Sequence, residues 1–249
     1  MLEINKIYQG SCLKVMQNID EASIDMILCD LPYGVTNNKK DIIIPFEELW
    51  KQYERIIKDN GAIVLFAQGL FYVDLVNSNR KLFRYDFVWD KRLSSGFLNC
   101  NRQPLRQHEQ IAIFYKNQPI YNPQFSIGNP SHSKGTCYKF KEHKNNNYGK
   151  YEEVDNTSKD KINKFPTSIL QYQKVHPSKV EHPTQKCVEL LEYLIKTYTN
   201  EEELVLDNCI GSGTTAVACI NTKRDFIGIE LQQKYVDIAN KRINELKHI

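Results

Sequence analysis

Residues 205–216 read Val-Leu-Asp-Asn-Cys-Ile-Gly-Ser-Gly-Thr-Thr-Ala, and this stretch carries the clearest structural signal in the chain. A short apolar strand runs into Gly211-x-Gly213-x-x-Ala216, which opens a helix, and Glu230 closes the next predicted strand. Glycines at such a turn let the backbone approach a ligand, and the later acid accepts hydrogen bonds from ribose hydroxyls. The pattern predicts a nucleotide-type cofactor site, with a tightly packed strand–turn–helix as the alternative. It is not a P-loop, because no Gly-Lys-Ser/Thr follows.

The position of this turn in the chain is informative. Only 36 residues follow Gly213, whereas in an ordinary dinucleotide fold the glycine turn comes first and most of the sheet follows it. The remaining strands must therefore come from the N-terminal half of the chain. This order predicts a circularly permuted fold and counts against an ordinary nicotinamide dehydrogenase.

Short apolar runs and amphipathic segments alternate along most of the chain, which predicts an α/β fold with a mostly parallel sheet covered by helices on both faces. The predicted strands are Ile4–Gln9, Ile24–Cys29, Ala62–Ala67, Tyr85–Trp89, Gln110–Tyr115, Leu204–Leu206 and Phe226–Ile229. The predicted helices are Cys12–Ile19, Phe46–Lys58 (ended by Asn60-Gly61), Leu70–Asn79, Thr184–Thr199, Thr214–Ile220 and Gln233–Leu246.

A second motif, Asp30-Leu31-Pro32-Tyr33-Gly34, directly follows the predicted strand Ile24–Cys29. Open parallel sheets bind ligands at the carboxyl ends of their strands. Asp30 there can accept a hydrogen bond from an amino group, and Pro32 stiffens the backbone so that the preceding carbonyl can accept another. Tyr33 offers a face for stacking. Taken alone, the motif is also compatible with a simple turn, because Asp, Pro and Gly are turn residues.

Charge is distributed unevenly along the chain. The formal net charge is +3, but residues 91–180 hold 15 Lys and Arg against 6 Asp and Glu. A basic segment inside an acidic frame suggests a polyanionic partner, with a solvated lysine-rich loop region as the alternative. Regular periodicity fades between residues 118 and 179, which indicates a loop-rich insertion.

Composition excludes several classes of protein. No apolar run reaches the roughly 18 residues of a transmembrane helix, and the N-terminus lacks the pattern of a signal peptide. The seven cysteines are scattered and form no Cys-x-x-Cys pair, so we predict no metal site. Such cysteines are typical of reduced thiols, and we expect a cytoplasmic protein without a membrane partner.

The motifs together, in this order, resemble the permuted β-class of S-adenosylmethionine-dependent DNA amino-methyltransferases, in which the catalytic motif precedes the cofactor motif. Residues 30–33 are similar to the family's Asp-Pro-Pro-Tyr, and residues 206–215 to its Leu-Asp-Pro-Phe-x-Gly-Ser-Gly-Thr-Thr. Residues 182–187, His-Pro-Thr-Gln-Lys-Cys, resemble its His-Pro-Thr-Gln-Lys-Pro. The resemblance covers roughly residues 5–117 and 181–247, and it implies a Rossmann-like methyltransferase fold, circularly permuted, with a basic inserted region.

The resemblance also implies an activity and a division of labour. Residues 1–117 and 181–249 would form the catalytic and S-adenosylmethionine-binding domain, and residues 118–180 would form the target-recognition insertion. The implied reaction is methyl transfer to the exocyclic N6 of a flipped-out adenine in double-stranded DNA. Adenine is preferred because an acid at the first position of the catalytic motif, here Asp30, resembles the adenine enzymes, whereas serine is commoner there among the cytosine enzymes. Transfer to cytosine N4 is the alternative.

Residue roles follow from the same resemblance. The implied catalytic residues are Asp30, Leu31, Pro32 and Tyr33. The implied cofactor contacts are Ser11, Cys12, Asp30, Thr184, Gln185, Lys186, Asp207, Cys209, Gly211, Ser212, Gly213, Thr214, Thr215 and Glu230. The basic side chains expected at DNA are Lys91, Arg102, Arg106, Lys134, Lys139, Lys141, Lys144, Lys150, Lys161 and Lys164.

Four positions depart from the family pattern. Leu31 and Cys187 stand where the family has proline, Cys209 stands where it has phenylalanine, and Ser11 replaces an acid close to the cofactor adenine. The family also leads us to expect a homodimer and a cognate restriction endonuclease. A nicotinamide oxidoreductase and a catalytically inactive DNA-binding protein are the more distant alternatives.

Overall fold

The computed structural model of the 249-residue chain describes residues 2–35, 41–128, 162–175 and 186–246. The chain forms two compact units. The larger unit comprises Met1–Asn122 together with Ser168–Ile249, and the smaller comprises Pro123–Thr167.

An eight-stranded sheet forms the centre of the larger unit, in the order β1-β10-β9-β2-β3-β5-β4-β8. Its strands are β1 Lys6–Gln9, β2 Ile24–Asp30, β3 Ile57–Ala67, β4 Phe83–Ser95, β5 Arg106–Phe114, β8 Ile169–Gln171, β9 Leu204–Asp207 and β10 Asp225–Glu230. The five strands that lie side by side as β1-β10-β9-β2-β3 are all parallel. Strand β5 runs antiparallel to both β3 and β4, and β8 is parallel to β4. The helices are α1 Cys12–Met16, α2 Phe46–Ile56, α3 Gly69–Ser78, α4 Val188–Tyr198, α5 Thr214–Asn221 and α6 Gln233–Leu246.

Both faces of the sheet are buried, which explains why its central strands read as continuous apolar runs. Alternate residues of β2 serve opposite faces. Met26 and Leu28 pack in the cluster that contains α4 and α5, while Ile27 and Cys29 pack with α1, α2 and α3. The expected fold, an α/β sheet covered on both sides, is confirmed.

The order of the strands brings three acidic side chains together at the carboxyl ends of neighbouring parallel strands. β10, β9 and β2 are neighbours and parallel, and they end at Glu230, Asp207 and Asp30. Ser11 follows β1, which pairs with β10 in the same direction. The last two strands in the sequence, β9 and β10, therefore lie between the first two, β1 and β2, as the permuted order along the chain predicts.

The junction between α2 and β3 differs from the predicted one. We expected the helix to run to Lys58 and to end at Asn60-Gly61, but α2 ends at Ile56 and β3 begins at the next residue, because Ile57 already pairs with Ile24 of β2. A Cβ on Gly61 would lie 2.8 Å from the carbonyl oxygen of Asp25. The glycine is thus required by close approach of two strands. Helix α1 is also shorter than predicted and ends at Met16.

Two strands extend beyond the runs from which they were predicted. β4 continues from Trp89 to Ser95, and β5 begins at Arg106, so the pair forms a long antiparallel hairpin with Ser95 opposite Arg106. The short strand β8 was not predicted at all. It lies in the stretch where periodicity fades, yet Leu170 pairs with Trp89 in the main sheet.

The smaller unit contains an antiparallel pair, β6 Ser126–Ile127 and β7 Asn163–Lys164, beside contacting rings of Phe125 and Phe165 with centroids 4.9 Å apart. The role of residues 118–180 in target recognition stays a prediction. In the described part of the chain, no helix is both long enough and apolar enough to cross a membrane.

Candidate active site

Asp30 lies at the carboxyl end of β2, and both of its carboxylate oxygens accept hydrogen bonds. The Tyr33 hydroxyl donates to Oδ1 at 2.8 Å, and the Lys186 ammonium lies 2.8 Å from Oδ2. The Tyr33 ring stacks on Phe71 of α3, with ring centroids 4.8 Å apart and planes inclined by 25°. The carboxylate and the ring predicted to be catalytic are therefore held in fixed positions by neighbours from β2, α3 and the segment before α4.

Lys186 joins Asp30 to a second buried carboxylate. Its ammonium donates to Glu109 Oε2 at 3.0 Å, and the Lys91 ammonium donates to Glu109 Oε1 at 3.2 Å. The Lys186 ammonium also lies over the rings of Phe66 and Trp89, at 4.9 and 5.8 Å from their centroids. We call Asp30, Lys186, Glu109 and Lys91 the charge chain, in which two anions alternate with two cations.

Burial and charge oppose each other along the charge chain. Burial raises the pKa of Asp30, and the Lys186 ammonium limits that rise. Burial alone would lower the pKa of Lys186, but the carboxylates of Asp30 and Glu109 outweigh it and raise the pKa. Burial would likewise raise the pKa of Glu109, but Lys186 and Lys91 outweigh it and lower the pKa. Lys186 and Glu109 are therefore ionised at neutral pH, and their charges favour the ionised form of their neighbours.

The glycine turn between β9 and α5 has the backbone that its sequence predicts. Gly211 and Gly213 both have positive φ, 53° and 82°. The amide of Gly211 donates to Glu230 Oε2 at 3.1 Å, and the amide of Gln232 donates to Glu230 Oε1 at 2.8 Å. Glu230 is thus fixed beside the turn, at the place predicted for an acid that accepts from ribose.

Packing inside the protein also requires glycine at position 213, a cause that the sequence did not indicate. A Cβ built there would lie 2.7 Å from the Cβ of Ala239 and 3.1 Å from its Cα, while the expected room for a ligand stays a prediction. Real Cβ contacts are not this close. The glycine is therefore needed because α6 packs against the turn, in addition to the positive φ.

Asp207 stabilises the turn through both of its oxygens. The amide of Cys209 donates to Oδ1 at 3.0 Å, and the Thr215 hydroxyl donates to Oδ2 at 2.5 Å. Arg242 of α6 adds a second support, because its guanidinium donates to the Ser212 carbonyl at 2.6 Å. Three of the predicted cofactor residues, Asp207, Cys209 and Thr215, thus hold one another in place, and Arg242 holds a fourth, Ser212.

We predict that replacing Asp207 with Asn changes how stability depends on pH. Burial raises the pKa of Asp207 from 3.8 to about 7. A raised pKa in the folded state means that stability is present at low pH and is lost as pH rises towards the folded pKa. Between pH 5 and 8 this carboxyl should lower the free energy of unfolding by roughly 2–3 kcal/mol. Urea titrations at both pH values should show this loss in the wild type and not in Asp207→Asn.

The thiols near the cofactor turn are protonated. A hydrogen bond with Cys209 raises the pKa of Cys12, and burial raises the pKa of Cys29 to about 12. Thiolates are the nucleophilic form of cysteine, so these side chains are poor nucleophiles. This state agrees with a reaction that needs no covalent cysteine intermediate. Ser11, in the half-buried position before α1, makes no side-chain capping hydrogen bond to that helix.

The residues predicted to contact DNA fall into three groups. Arg102 and Arg106 are exposed near the β4–β5 turn, and Lys164 is half-buried in β7 of the smaller unit. The prediction for Lys91 is wrong, because its side chain is only 3% exposed and its ammonium is bonded to Glu109. The remaining predicted positions lie outside the described residues: Lys134, Lys139, Lys141, Lys144, Lys150 and Lys161, with the cofactor residues Thr184 and Gln185.

Glu109 is the site residue that the sequence prediction missed. A signal for it existed in the period of two along β4, which places Lys91 on the same face as Phe87 and Trp89. All three are buried, and a buried lysine needs an acidic partner. Glu109 lies directly opposite Trp89 on β5 and supplies that partner.

The groups that this site presents fit S-adenosylmethionine. Two carboxylates, Asp30 and Glu230, lie at the same sheet edge as a glycine turn, which suits a ligand with a cationic centre and a ribose. The described residues contain no group of three or more His, Cys, Asp or Glu side chains placed to hold a metal ion.

The sequence is similar to those of known DNA methyltransferases. The chain is 27% identical to the type II methyltransferase M1.MboII of Moraxella bovis, over 99% of both chains. It is 25% identical to the DNA adenine methyltransferase YhdJ of Escherichia coli K12, over 99% of this chain and 85% of YhdJ.

Solved structures share the fold. The complex of M1.HpyAVI with S-adenosylmethionine superimposes with a TM-score of 0.63 at 24% identity, over 95% of this chain and 98% of the other. The cytosine-N4-specific PvuII DNA methyltransferase gives a TM-score of 0.66 at 17% identity, over 97% and 90%. The profile of a family described as DNA methylase, which groups N6 and N4 enzymes, matches residues 24–241. Because that match spans most of the sequence and includes Asp30, Lys186 and the glycine turn, the chain belongs to the N6/N4 DNA methylase family.

Proposed function

We propose that this chain is a site-specific DNA methyltransferase that transfers a methyl group from S-adenosylmethionine to the N6 amino group of a flipped-out adenine. The observation that carries the proposal is the placement of Asp30. Its carboxylate lies at the carboxyl end of β2, bonded to Tyr33 and Lys186, next to the strand that leads into the glycine turn. Family membership supports the reaction class, and the choice of base rests on the acid at position 30.

Asp30 and the carbonyl of Leu31 are the proposed acceptors for the two amino hydrogens. The lone pair of an aromatic amine is conjugated with its ring, so the amine is a poor nucleophile until acceptors on both N–H bonds favour a pyramidal nitrogen. Each carboxylate oxygen has a second lone pair, so Asp30 can accept from the substrate while it keeps its protein partners. The Leu31 side chain is 4% exposed, packed in the core, which fits a residue that contributes only its backbone.

Tyr33 is the proposed platform for the flipped base. Phe71 covers one face of its ring, and the hydroxyl bond to Asp30 fixes its orientation. An enzyme that acts on a base must remove it from the duplex stack and receive it in a pocket that offers stacking. A pre-oriented ring lowers the entropic cost of placing the amine beside Asp30.

The cofactor would be held by Ser11 and Cys12 after β1, by the turn at Gly211, and by Glu230 through its ribose. When bound, S-adenosylmethionine supplies a methyl group on a positively charged sulfur. The protein's part is to orient the acceptor, to keep Asp30 ionised, and to exclude water. Glu230 retains lone pairs for this contact, since each of its oxygens accepts one backbone hydrogen bond.

Cytosine N4 is the second candidate acceptor, favoured by one observation. The PvuII enzyme, which has the highest of the TM-scores reported above, is cytosine-N4-specific. YhdJ is a DNA adenine methyltransferase and has the higher sequence identity. Both bases carry an exocyclic amine on an aromatic ring, so the same acceptors serve either reaction.

Purified protein distinguishes these candidates. Incubation with radiolabelled S-adenosylmethionine and unmethylated plasmid, followed by digestion to nucleosides and mass spectrometry, should give N6-methyladenine. N4-methylcytosine would move the assignment to the second candidate, and transfer to neither base would refute the proposal. Calorimetric titration with S-adenosylmethionine and with NAD separates a methyltransferase, which should bind the former, from a nicotinamide oxidoreductase.

A prediction for Lys186 concerns the pH dependence of turnover. Asp30 must be ionised to accept from the amine, and Lys186 opposes the effect of burial on its pKa. Replacing Lys186 with Met should raise the pKa of Asp30 further and move the acidic limb of the kcat profile up by about 1–3 pH units. Lys186→Arg retains the cation and should keep the limb near its original position. An unshifted limb in Lys186→Met would show that Lys186 serves packing alone.

Double-stranded DNA is the proposed substrate, with residues 118–180 proposed to select the sequence and residues 1–117 and 181–249 to carry the chemistry. The +9 balance of residues 91–180 suits a polyanionic partner. A homodimer and a cognate restriction endonuclease remain proposals based on relatives, such as the type II enzyme M1.MboII.

A further inference from the structure

The hairpin made by β4 and β5 extends well beyond the charge chain. Lys91 is the last buried residue of β4, and the strand continues to Ser95 through an irregular register with β5. β5 begins at Arg106, three residues before Glu109, so this strand extends roughly 10 Å beyond that carboxylate at about 3.3 Å per residue. Ser95 pairs with Arg106, and the Ser95 hydroxyl donates to the Arg106 carbonyl at 3.2 Å. The projecting arm is therefore an ordered continuation of the sheet.

The tip of this arm carries apolar side chains in solvent. Phe97 is 76% exposed and Leu98 is 99% exposed. Gly96, with φ of 89°, turns the chain into a 3₁₀ helix, Phe97–Asn99, and the amide of Cys100 donates to the carbonyl of Phe97 at 3.0 Å. A hydrogen-bonded turn thus presents two adjacent large apolar groups that the larger unit does not bury.

The charge around the tip indicates the chemistry of its partner. Residues 92–108 contain three arginines and no Asp or Glu, and Arg92 forms an ion pair with Asp90 at the base of the arm. Arg102 and Arg106 are exposed on the arm, and the Arg106 guanidinium passes close to Gly96. Duplex DNA offers phosphates to these arginines and an apolar base stack to the tip. A membrane also combines phosphates with an apolar layer, and a second copy of this chain would cover apolar groups, but neither accounts for the position of the arm at the Asp30 end of the sheet.

The arm projects from the same edge of the sheet as the catalytic carboxylate. β3 runs parallel to β2, whose end is Asp30, and β5 runs antiparallel to β3, so the start of β5 and the end of β4 lie at that edge. Glu109 and Lys91, at the base of the arm, belong to the charge chain that reaches Asp30. A duplex whose base enters the site therefore meets the arm.

We propose that the β4–β5 arm enters a groove of the target duplex and that Phe97 and Leu98 wedge into the base stack beside the flipped nucleotide. The inference rests on the proposed function, since it assigns a device for opening the same substrate. A groove about 12 Å wide admits a two-stranded ribbon. Apolar side chains inserted between base steps unstack them, and the gap left by a flipped base is where such side chains gain most burial.

The wedge predicts a substrate-dependent defect in Phe97→Ala/Leu98→Ala. The wild-type recognition sequence is first read from methylated DNA, and two duplexes are then compared. One is fully paired, and the other has an abasic site opposite the target base, where flipping already costs little. The variant should lose on the order of 10- to 100-fold in methylation rate on the paired duplex. It should lose less than about threefold on the abasic duplex, with S-adenosylmethionine binding unchanged.

The matched control is Ile4→Ala, which removes an apolar side chain that is 45% exposed beyond the opposite end of the parallel strands. It should leave both rates unchanged. Equal losses of rate on the two duplexes would show that the tip is a general DNA contact and would overturn the wedge. Unchanged rates on both duplexes would overturn it too. If the wild type sediments as a dimer and the variant as a monomer, and the variant keeps its rate on the paired duplex, the tip serves self-association instead.

A measurement on the wild type separates failure of the wedge from failure of the proposed activity. Cys100 is the exposed cysteine among the described thiols and lies in the same turn. Duplex DNA should slow its alkylation by N-ethylmaleimide at least about tenfold, whereas heparin, which has the charge without the base stack, should slow it far less. Equal protection by both polyanions would overturn the wedge, even if the protein methylates no DNA.

Discussion

Replacing Asp30 with Ala should lower the rate of methyl transfer by on the order of 10²–10³-fold while leaving equilibrium binding of S-adenosylmethionine within a few-fold. Loss of a group aimed at the reacting atoms costs on the order of 2.7–4 kcal/mol, or about 10²–10³ in kcat, by analogy with a lost oxyanion-hole donor. The variant should still fold, because Lys186 keeps Glu109 as its partner and Tyr33 keeps its stack on Phe71. Single-turnover assays with saturating cofactor measure the effect.

The chain offers a matched control for this change. Asp86 on β4 accepts from the Tyr72 hydroxyl at 3.1 Å, so it forms a tyrosine–aspartate pair like that of Tyr33 and Asp30 but away from the carboxyl ends of the parallel strands. Asp86→Ala should keep wild-type turnover. Near-normal turnover in Asp30→Ala, or equal losses in both variants, would show that Asp30 has no catalytic role.

Replacing Gly213 with Val should prevent proper folding of the cofactor turn, and a double-mutant cycle shows why. Gly213→Ala should destabilise by about 1–2 kcal/mol for the positive φ and about 1–3 kcal/mol for overpacking against Ala239. Adding Ala239→Gly removes the opposing Cβ. The double variant should therefore be more stable than the sum of the single effects predicts, by roughly 1–3 kcal/mol of coupling.

Denaturant titrations of the four proteins in this cycle give the coupling energy. Additive effects would mean that Gly213 and Ala239 do not meet, and that the glycine serves only its backbone conformation or the ligand. In that case Gly213→Ala would lose only the roughly 1–2 kcal/mol that the positive φ costs, and a ligand role would appear as loss of S-adenosylmethionine binding by the folded variant. The account here expects loss of stability and loss of binding together.

The sequence predicted the central strands and the acids at their ends because these features are local. A buried strand reads as an apolar run, and Asp30, Asp207 and Glu230 each follow one directly. The permuted order followed from the position of the glycine turn near the end of the chain. Element ends were less accurate, as at Ile57, where pairing with β2 overrides the helical pattern.

The charge chain could not be predicted in the same way, because it depends on contacts between distant segments. Lys91, Glu109 and Lys186 come from three separate elements, and only the hairpin and the packing of the segment before α4 bring them together. A count of basic residues assigned Lys91 to DNA, whereas the alternation along β4 points it into the core. The packing requirement for glycine at position 213 could not be predicted for the same reason, because the contacting residue, Ala239, lies in a distant element, α6.

Single-molecule sequencing of genomic DNA from a methylation-free host that expresses this chain tests the central claim most directly. It reports the modified base and its sequence context together, and Asp30→Ala expressed to the same level provides the comparison. We expect N6-methyladenine at nearly every copy of one recurring sequence in the wild type and at only a small fraction of those copies in Asp30→Ala. Unmodified DNA from cells that contain the folded wild-type protein, or modification of the same fraction of copies in both strains, would contradict the account.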